Sequence, residues 1–261
     1  MPTLSNDEIE QFVEDGFVRV EAAFPREVAD AARALLWRAT GCDPDDPATW
    51  TRPVVRLEGF GDEPFRAAAN TERLLAAFDQ IAGPGRWLPR LGLGTFPIRF
   101  PHPDDPGDTG WHVEGSYADE EGRFRLNLRS RGRALLMLFL FSDVGDDDAP
   151  TLVRAGSHLD VAPLLAPYGE EGAEFFAFAR EAVPATEHRP VVKATGAAGD
   201  VYLCHPFLVH AGQPHRGRTP KFMAQPPLYP TGLLDLERSD GAYSPVERAV
   251  RHGLGAARRM P

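Results

Sequence analysis

His112 and Glu114, in Trp111-His112-Val113-Glu114-Gly115-Ser116-Tyr117, stand one residue apart and bring an imidazole and a carboxylate to one place. On a β-strand, side chains at i and i+2 share a face, so this spacing lets both grip one cation from the same side. A second imidazole, His210, stands far downstream at the end of Val201-Tyr202-Leu203-Cys204-His205-Pro206-Phe207-Leu208-Val209-His210. Two neutral imidazoles and one carboxylate on one face of a metal leave positions open for an oxidant and a chelating co-substrate, the donor set of non-haem Fe(II) oxygenases. An isolated His-x-Glu pair is a weak signal, and its surroundings decide its weight.

Those surroundings read as strands. Candidates run over Leu91–Phe100, Thr109–Val113, Arg123–Leu128, Ala134–Ser142, Leu152–Arg154, Val191–Lys193, Asp200–Cys204, Leu208–His210 and Lys221–Tyr229. A helix over Glu170–Val183 interrupts them, and Pro245–Leu254 reads as a closing helix. The N-terminal third is helical. Ser5 or Asn6 can cap a first helix through Ile9, Phe12 and Val13, which Gly16 ends before the short strand Phe17–Val20. Two more amphipathic stretches cover Arg26–Ala39 and Pro64–Ile81.

Most of the eight histidines have bland readings. His102, His188 and His252 lack supporting context. His158 follows Gly156-Ser157 and reads as fixing a turn. His205 falls on the strand face opposite His210 and is structural or supporting, while His215 is a weaker alternative distal ligand. Arg123, Arg125, Asn127, Arg129, Arg131 and Arg133 alternate at period two, with Phe124, Leu126 and Leu128 between, beside the acidic stretch Asp119-Glu120-Glu121. This basic strip reads as a solvated strand face, with an anionic-substrate strip as its rival. Cys204 reads as a small buried hydrophobe.

Composition bounds the class of protein. The 261 residues, 43% of them hydrophobic, suit one domain: a β core over 91–230 with an N-terminal helical elaboration over 1–90. The 25 prolines and 25 glycines favour a loop-rich, mainly β architecture. A net charge of −10 excludes a general nucleic-acid or anionic-membrane binder, whose affinity needs a basic surface. Met1 to Glu8 shows no leader pattern, no apolar run reaches membrane-spanning length, and two cysteines make no disulfide framework. A soluble cytoplasmic protein with a small-molecule substrate is expected; oligomeric state is not legible.

Beyond His210 the chain reads Ala211-Gly212-Gln213-Pro214-His215-Arg216-Gly217-Arg218-Thr219-Pro220-Lys221-Phe222-Met223-Ala224-Gln225. A cation about a dozen residues past the distal histidine can hold a far carboxylate of a metal-chelating ligand. With Phe12-Val13-Glu14-Asp15-Gly16-Phe17-Val18, the His112 motif, Ala155-Gly156-Ser157-His158 and Gly199-Asp200-Val201, most of the chain resembles the phytanoyl-CoA dioxygenase family of Fe(II)- and 2-oxoglutarate-dependent oxygenases. The resemblance implies a double-stranded β-helix (jelly-roll, cupin-like) with flanking helices, and His112, Glu114 and His210 as iron ligands. It implies 2-oxoglutarate as co-substrate, released as succinate and CO2 while a small molecule is hydroxylated. The same centre can also desaturate, cyclise or epimerise.

The family more often has aspartate at position 114 and arginine at position 221. Lysine supplies a point charge where arginine supplies a fork. Because Lys221, Met223 and Gln225 alternate onto one strand face, Lys221 is placed in the pocket with Gln225 beside it, and Arg216 and Arg218 are reserve cations. Trp111 and Tyr117 flank the ligands and are candidates for the substrate mouth. Specificity is expected in the loops Ser116–Arg123 and Asp160–His188. Two other readings stay open: a cupin-like metalloenzyme that uses no 2-oxoglutarate, and a non-catalytic β-helix ligand-binding module.

Overall fold

The computed structural model describes residues 3–257; Met1 and Pro2, the start of the segment read for a leader, lie outside the described residues. Its helices are α1 (Asn6–Asp15), α2 (Arg26–Thr40), α3 (Glu63–Ala69), α4 (Glu72–Ile81), α5 (Ser157–Leu165), α6 (Phe175–Ala185) and α7 (Pro245–Ala257). The strands are β1 (Phe17–Val20), β2 (Val54–Leu57), β3 (Phe96–Arg99), β4 (Tyr117–Ala118), β5 (Phe124–Leu126), β6 (Leu135–Leu140) and β7 (Thr151–Arg154). They continue with β8 (Ala173–Glu174), β9 (Val191–Ala194), β10 (Val201–Cys204), β11 (His210–Ala211), β12 (Met223–Ala224) and β13 (Pro227–Leu228). No described helix is long and apolar enough to cross a membrane.

The strand β6, Leu-Leu-Met-Leu-Phe-Leu, is buried on both faces, and this organises the fold. It sits in an antiparallel sheet ordered β1-β10-β6-β12, with β13 also pairing β6. Leu135, Met137 and Phe139 point into a cluster with Phe24, Ala29, Leu36 and Phe65, so this face takes the N-terminal helices. Leu136, Leu138 and Leu140 point the other way, toward Val153, Ala194 and Leu208. Those residues belong to, or border, a second antiparallel sheet, β11-β7-β9. Each such side chain contributes about 1.5–3 kcal/mol on burial. Two smaller units, β2-β3 and β4-β5-β8, complete the β structure, with all pairs antiparallel.

Several elements differ from the sequence reading. Within 64–81 there are two helices, because Thr71 caps α4 by accepting from the Leu74 amide. A further helix, α5, stands where a turn at His158 was expected; Pro163 inside it masks the helical pattern. α6 starts at Phe175, since Ala173 and Glu174 pair with β5 and Glu174 then caps the helix. Thr109–Val113 forms no strand beyond one bridge at His112. β1, inside the N-terminal elaboration, enters the main sheet by pairing β10.

Two fully buried imidazoles lock α1 to the rest. Ser5 and Glu8 form a reciprocal cap at its start, and Gly16 ends it with φ 84°. A Cβ at Gly16 would lie 2.4 Å from His158 Nδ1, so this position needs glycine on both counts. His158 Nε2 lies 3.0 Å from the Val13 carbonyl, and the His205 ring packs 4.8 Å from His158. Burial pushes His158 down to about 4, and burial together with its neighbour holds His205 well below the usual histidine range. Both therefore fold neutral, and their contribution is complete above an unfolded pKa of about 6.5 and is lost as pH falls toward the folded values. Denaturant midpoints are expected to drop between pH 6.5 and pH 4.5, with His158 accounting for up to about 3 kcal/mol. His158→Gln should be less stable at pH 7 and should show a flatter acid limb; an unchanged limb would contradict this assignment.

Candidate metal centre

His112 and His210 face each other across an isolated antiparallel bridge, each donating its amide to the other's carbonyl at 3.0 Å. Directly opposed residues project to the same side of such a pair, which sets the two rings 4.4 Å apart. Each Nδ1 lies 2.9 Å from the carbonyl two residues before it, Gly110 for His112 and Leu208 for His210. A carbonyl can only accept, so Nδ1 carries the proton and Nε2 presents its lone pair. Both rings thus offer an unprotonated nitrogen to the same space.

Glu114 completes the group. Its Oε1 lies 3.6 Å from both His112 Nε2 and His210 Nε2, and the three residues form the cluster among the described residues able to hold a metal. Donors around one first-row cation, at about 2.1 Å from it, stand about 3.0–3.4 Å apart, so closure needs a few tenths of an ångström. His210 Nε2 is buried without a hydrogen-bond partner, the cost a metal would remove. Burial opposes ionisation of Glu114, yet His112 and His210 hold its carboxyl well below the ordinary carboxylate range. For His112, burial pulls the imidazole down and Glu114 draws it up, with a net rise. A cation seated there would compete with protonation of His112. The donor set, tautomers and orphaned nitrogen all fit a divalent transition metal.

A second bridge repeats the device. Arg99 and Lys221 exchange backbone hydrogen bonds at 3.0 and 2.8 Å and point into the same cavity as the histidines. Both are buried. Arg99 Nη2 lies 2.8 Å from Asp108 Oδ1, while Arg99 Nη1 is buried with no partner. A Cβ at Gly212 would come 2.5 Å from Arg99 Nη2, so this glycine leaves room for the guanidinium. Lys221 Nζ donates only to the Ala149 carbonyl, and burial, with the Arg99 charge beside it, pushes the ammonium down to about 7. Two cationic groups with unused donors thus stand together on one wall of the cavity, chemistry that suits an anion.

The cavity, about 620 Å³, joins this wall to His112, Glu114 and His210 and also takes in Trp111, Thr151, Phe175, Phe176 and Gln225. Tyr117 lies elsewhere: its hydroxyl donates to the Glu171 carbonyl and Arg131 covers its ring, beside a surface hollow with Asp119 and Arg123. Arg216 and Arg218 are exposed and outside the cavity lining, and His215 is tied to the Thr219 carbonyl. The basic strip is no uniform solvated face. Arg125 is paired with Glu171, and Arg133 is buried with Nη2 3.9 Å from Glu114 Oε2. Reading the sequence missed Arg99 as well, although a lone cation within Phe96-Pro97-Ile98-Arg99-Phe100 was the available signal.

No curated protein matches the chain by sequence. Among solved structures, the α-ketoglutarate-dependent carbocyclase SnoK of nogalamycin biosynthesis is 17% identical, with a TM-score of 0.56 over 88% of this chain and 86% of that one. HygX from Streptomyces hygroscopicus, solved with nickel, 2-oxoglutarate and hygromycin B, is 19% identical, with a TM-score of 0.56 over 92% and 95%. The epimerase SnoN of nogalamycin biosynthesis is 18% identical, with a TM-score of 0.55 over 84% and 80%. At these identities the likeness is one of fold. The sequence model of the phytanoyl-CoA dioxygenase family matches residues 12–223, and the chain belongs to that family.

Proposed function

We propose that the chain is an Fe(II)- and 2-oxoglutarate-dependent oxygenase acting on a small molecule, most simply by hydroxylation, within a single double-stranded β-helix domain. The carrying observation is that His112, Glu114 and His210 open into the same cavity as Arg99 and Lys221. In the family, Fe(II) with 2-oxoglutarate and oxygen supplies oxidation of an unactivated C–H bond, with succinate and CO2 released. SnoN and HygX, solved with α-ketoglutarate or 2-oxoglutarate and with iron or nickel, support this choice of co-substrate. The anion wall favours it over a cupin-like enzyme without 2-oxoglutarate, and the intact ligand set favours it over a non-catalytic module.

In this reading, His112, Glu114 and His210 hold the metal, and Arg99 and Lys221 bind and orient the far carboxylate of the co-substrate, with Gln225 on the same wall. The substrate docks on the opposite side, where Phe175 and Phe176 open α6. Phe176 is 69% exposed, and the Phe175 ring packs edge-on 6.1 Å from His112. Trp111 lies beside them under the Arg154 guanidinium, which also bonds Thr186 and so ties α6 to the metal segment. An apolar face leading from solvent to a metal ligand favours a substrate with an apolar ring or chain. Cyclisation or epimerisation, the chemistry named for SnoK and SnoN, is the alternative outcome at the same site.

Purified protein is expected to bind about one Fe(II) per chain, and His210→Ala to weaken that binding by on the order of a hundredfold or more. Full stoichiometry at wild-type affinity in the folded variant would rule out this ligand. Arg99→Ala and Lys221→Ala should each raise the co-substrate constant by about tenfold to a hundredfold, the equivalent of roughly 1.5–3 kcal/mol per charge-assisted bond. Arg216→Ala and Arg218→Ala should leave it unchanged, and the reverse pattern would assign the carboxylate to those arginines instead of Arg99 and Lys221.

Titration calorimetry with 2-oxoglutarate adds a pH test. Free Lys221 titrates at about 7, and a bound dianion raises that value. Affinity should therefore be full below pH 7 and fall above it, by up to about tenfold per pH unit. Lys221→Arg, always charged, should bind with a flat profile over this range. An equally steep fall in that variant would assign the titration to another group.

A further inference from the structure

We infer that Arg133 is the positioning residue that makes Glu114 a one-oxygen metal ligand. The inference rests on the metal-site reading above and concerns how this chain uses glutamate there. Glutamate has one more rotatable bond than aspartate, so its carboxylate can swing, retreat or turn both oxygens to a cation. Something must fix it.

The two oxygens of Glu114 have different surroundings. Oε1 faces the two histidines, 3.6 Å from each Nε2. Oε2 turns away, 3.9 Å from Arg133 Nη2, and that nitrogen also donates to the Gly115 carbonyl at 3.1 Å. The Arg133 guanidinium is buried, and its Nε has no partner. A buried cation that spends its contacts on one carboxylate and its neighbouring carbonyl restricts where that carboxylate can go.

The approach of Arg133 is built by the chain before it. After β5 the backbone leaves the strand at Ser130 (φ 47°) and Gly132 (φ 86°). The Asn127 side chain accepts from the Arg131 amide and donates to the Glu170 carbonyl, and Ser130 Oγ donates to the Arg133 carbonyl at 2.6 Å. Gly132 packs so close to the Glu114 segment that a Cβ would sit 2.3 Å from the Ser116 carbonyl oxygen. The turn therefore delivers Arg133 behind the ligand rather than to solvent.

Co(II) is the probe, because it binds such sites without oxidation and its ligand-field spectrum reports the number and arrangement of donors. Arg133→Met should bind Co(II) roughly tenfold to a hundredfold more weakly than wild type, with an altered spectrum as the freed carboxylate rearranges. Arg133→Lys, which keeps the charge but not the fork, should fall between the two. A merely structural arginine would lower the melting temperature and leave affinity and spectrum as they are. Wild-type affinity and spectrum in either folded variant would overturn the proposal. Absence of Co(II) binding by the wild-type protein would instead overturn the metal reading itself, and the role of Arg133 with it.

Discussion

The pairing of His112 with His210 is the constraint on which the site depends. Two backbone hydrogen bonds hold segments that are far apart in sequence, and the residue opposite decides which side each ring takes. A slip of one residue would send one imidazole to the other face and leave Glu114 with a single histidine beside it. The pairing is short and cannot hold its own register. Its neighbour β11 continues onto β7 through His210↔Val153, and β7 pairs β9 over four residues, so the register is inherited from the sheet. That sheet in turn is pressed against β6, whose Leu136, Leu138 and Leu140 fill the space between. Core packing thus fixes the mutual placement of the two imidazoles through one chain of contacts.

The second bridge, Arg99↔Lys221, applies the same device to charge. Two cations set opposite each other repel, and the fold offsets this unequally. Asp108 sits against Arg99 and also meets Arg56, whereas Lys221 has only a carbonyl and titrates near neutrality. The wall is therefore incompletely neutralised by protein, which leaves attraction for an external anion. A guanidinium with an unused buried nitrogen and a lysine amine poised to take up a proton would both gain from an incoming carboxylate.

How much of this was legible follows from where the information sits. The continuous apolar run through β6, the capped helix α1 and the strand at 201–204 carry their own signals, and so do the residue types of the triad. Lys221, Met223 and Gln225 could be assigned to one face because a strand has period two, and all three line the cavity. What depends on tertiary placement was hidden. Arg133 looked like the end of a basic strip because Ser130 and Gly132, which break the alternation by positive φ, are ordinary residues on paper. Tyr117 looked close to the metal because it is close in sequence, but β4 pairs with β5 and turns it onto a separate hollow. His158 and His205 read as turn or support residues; their mutual burial against α1 is a property of packing alone.

Glu114 and Lys221, the two positions where the chain departs from the family's more common residues, share a physical setting. Each stands beside a buried arginine supplied by another segment: Arg133 behind Glu114, and Arg99 opposite Lys221. A longer carboxylate gains reach and loses definition, and a guanidinium at its outer oxygen can restore the definition. A lysine loses the planar fork, and an arginine across the bridge returns fork geometry to the same cavity wall. Neither exchange is conservative when judged by its own side chain. Each becomes intelligible when the unit compared is the pair, because the carboxylate placement and the charge at the cavity are carried jointly by two residues from different segments of the chain.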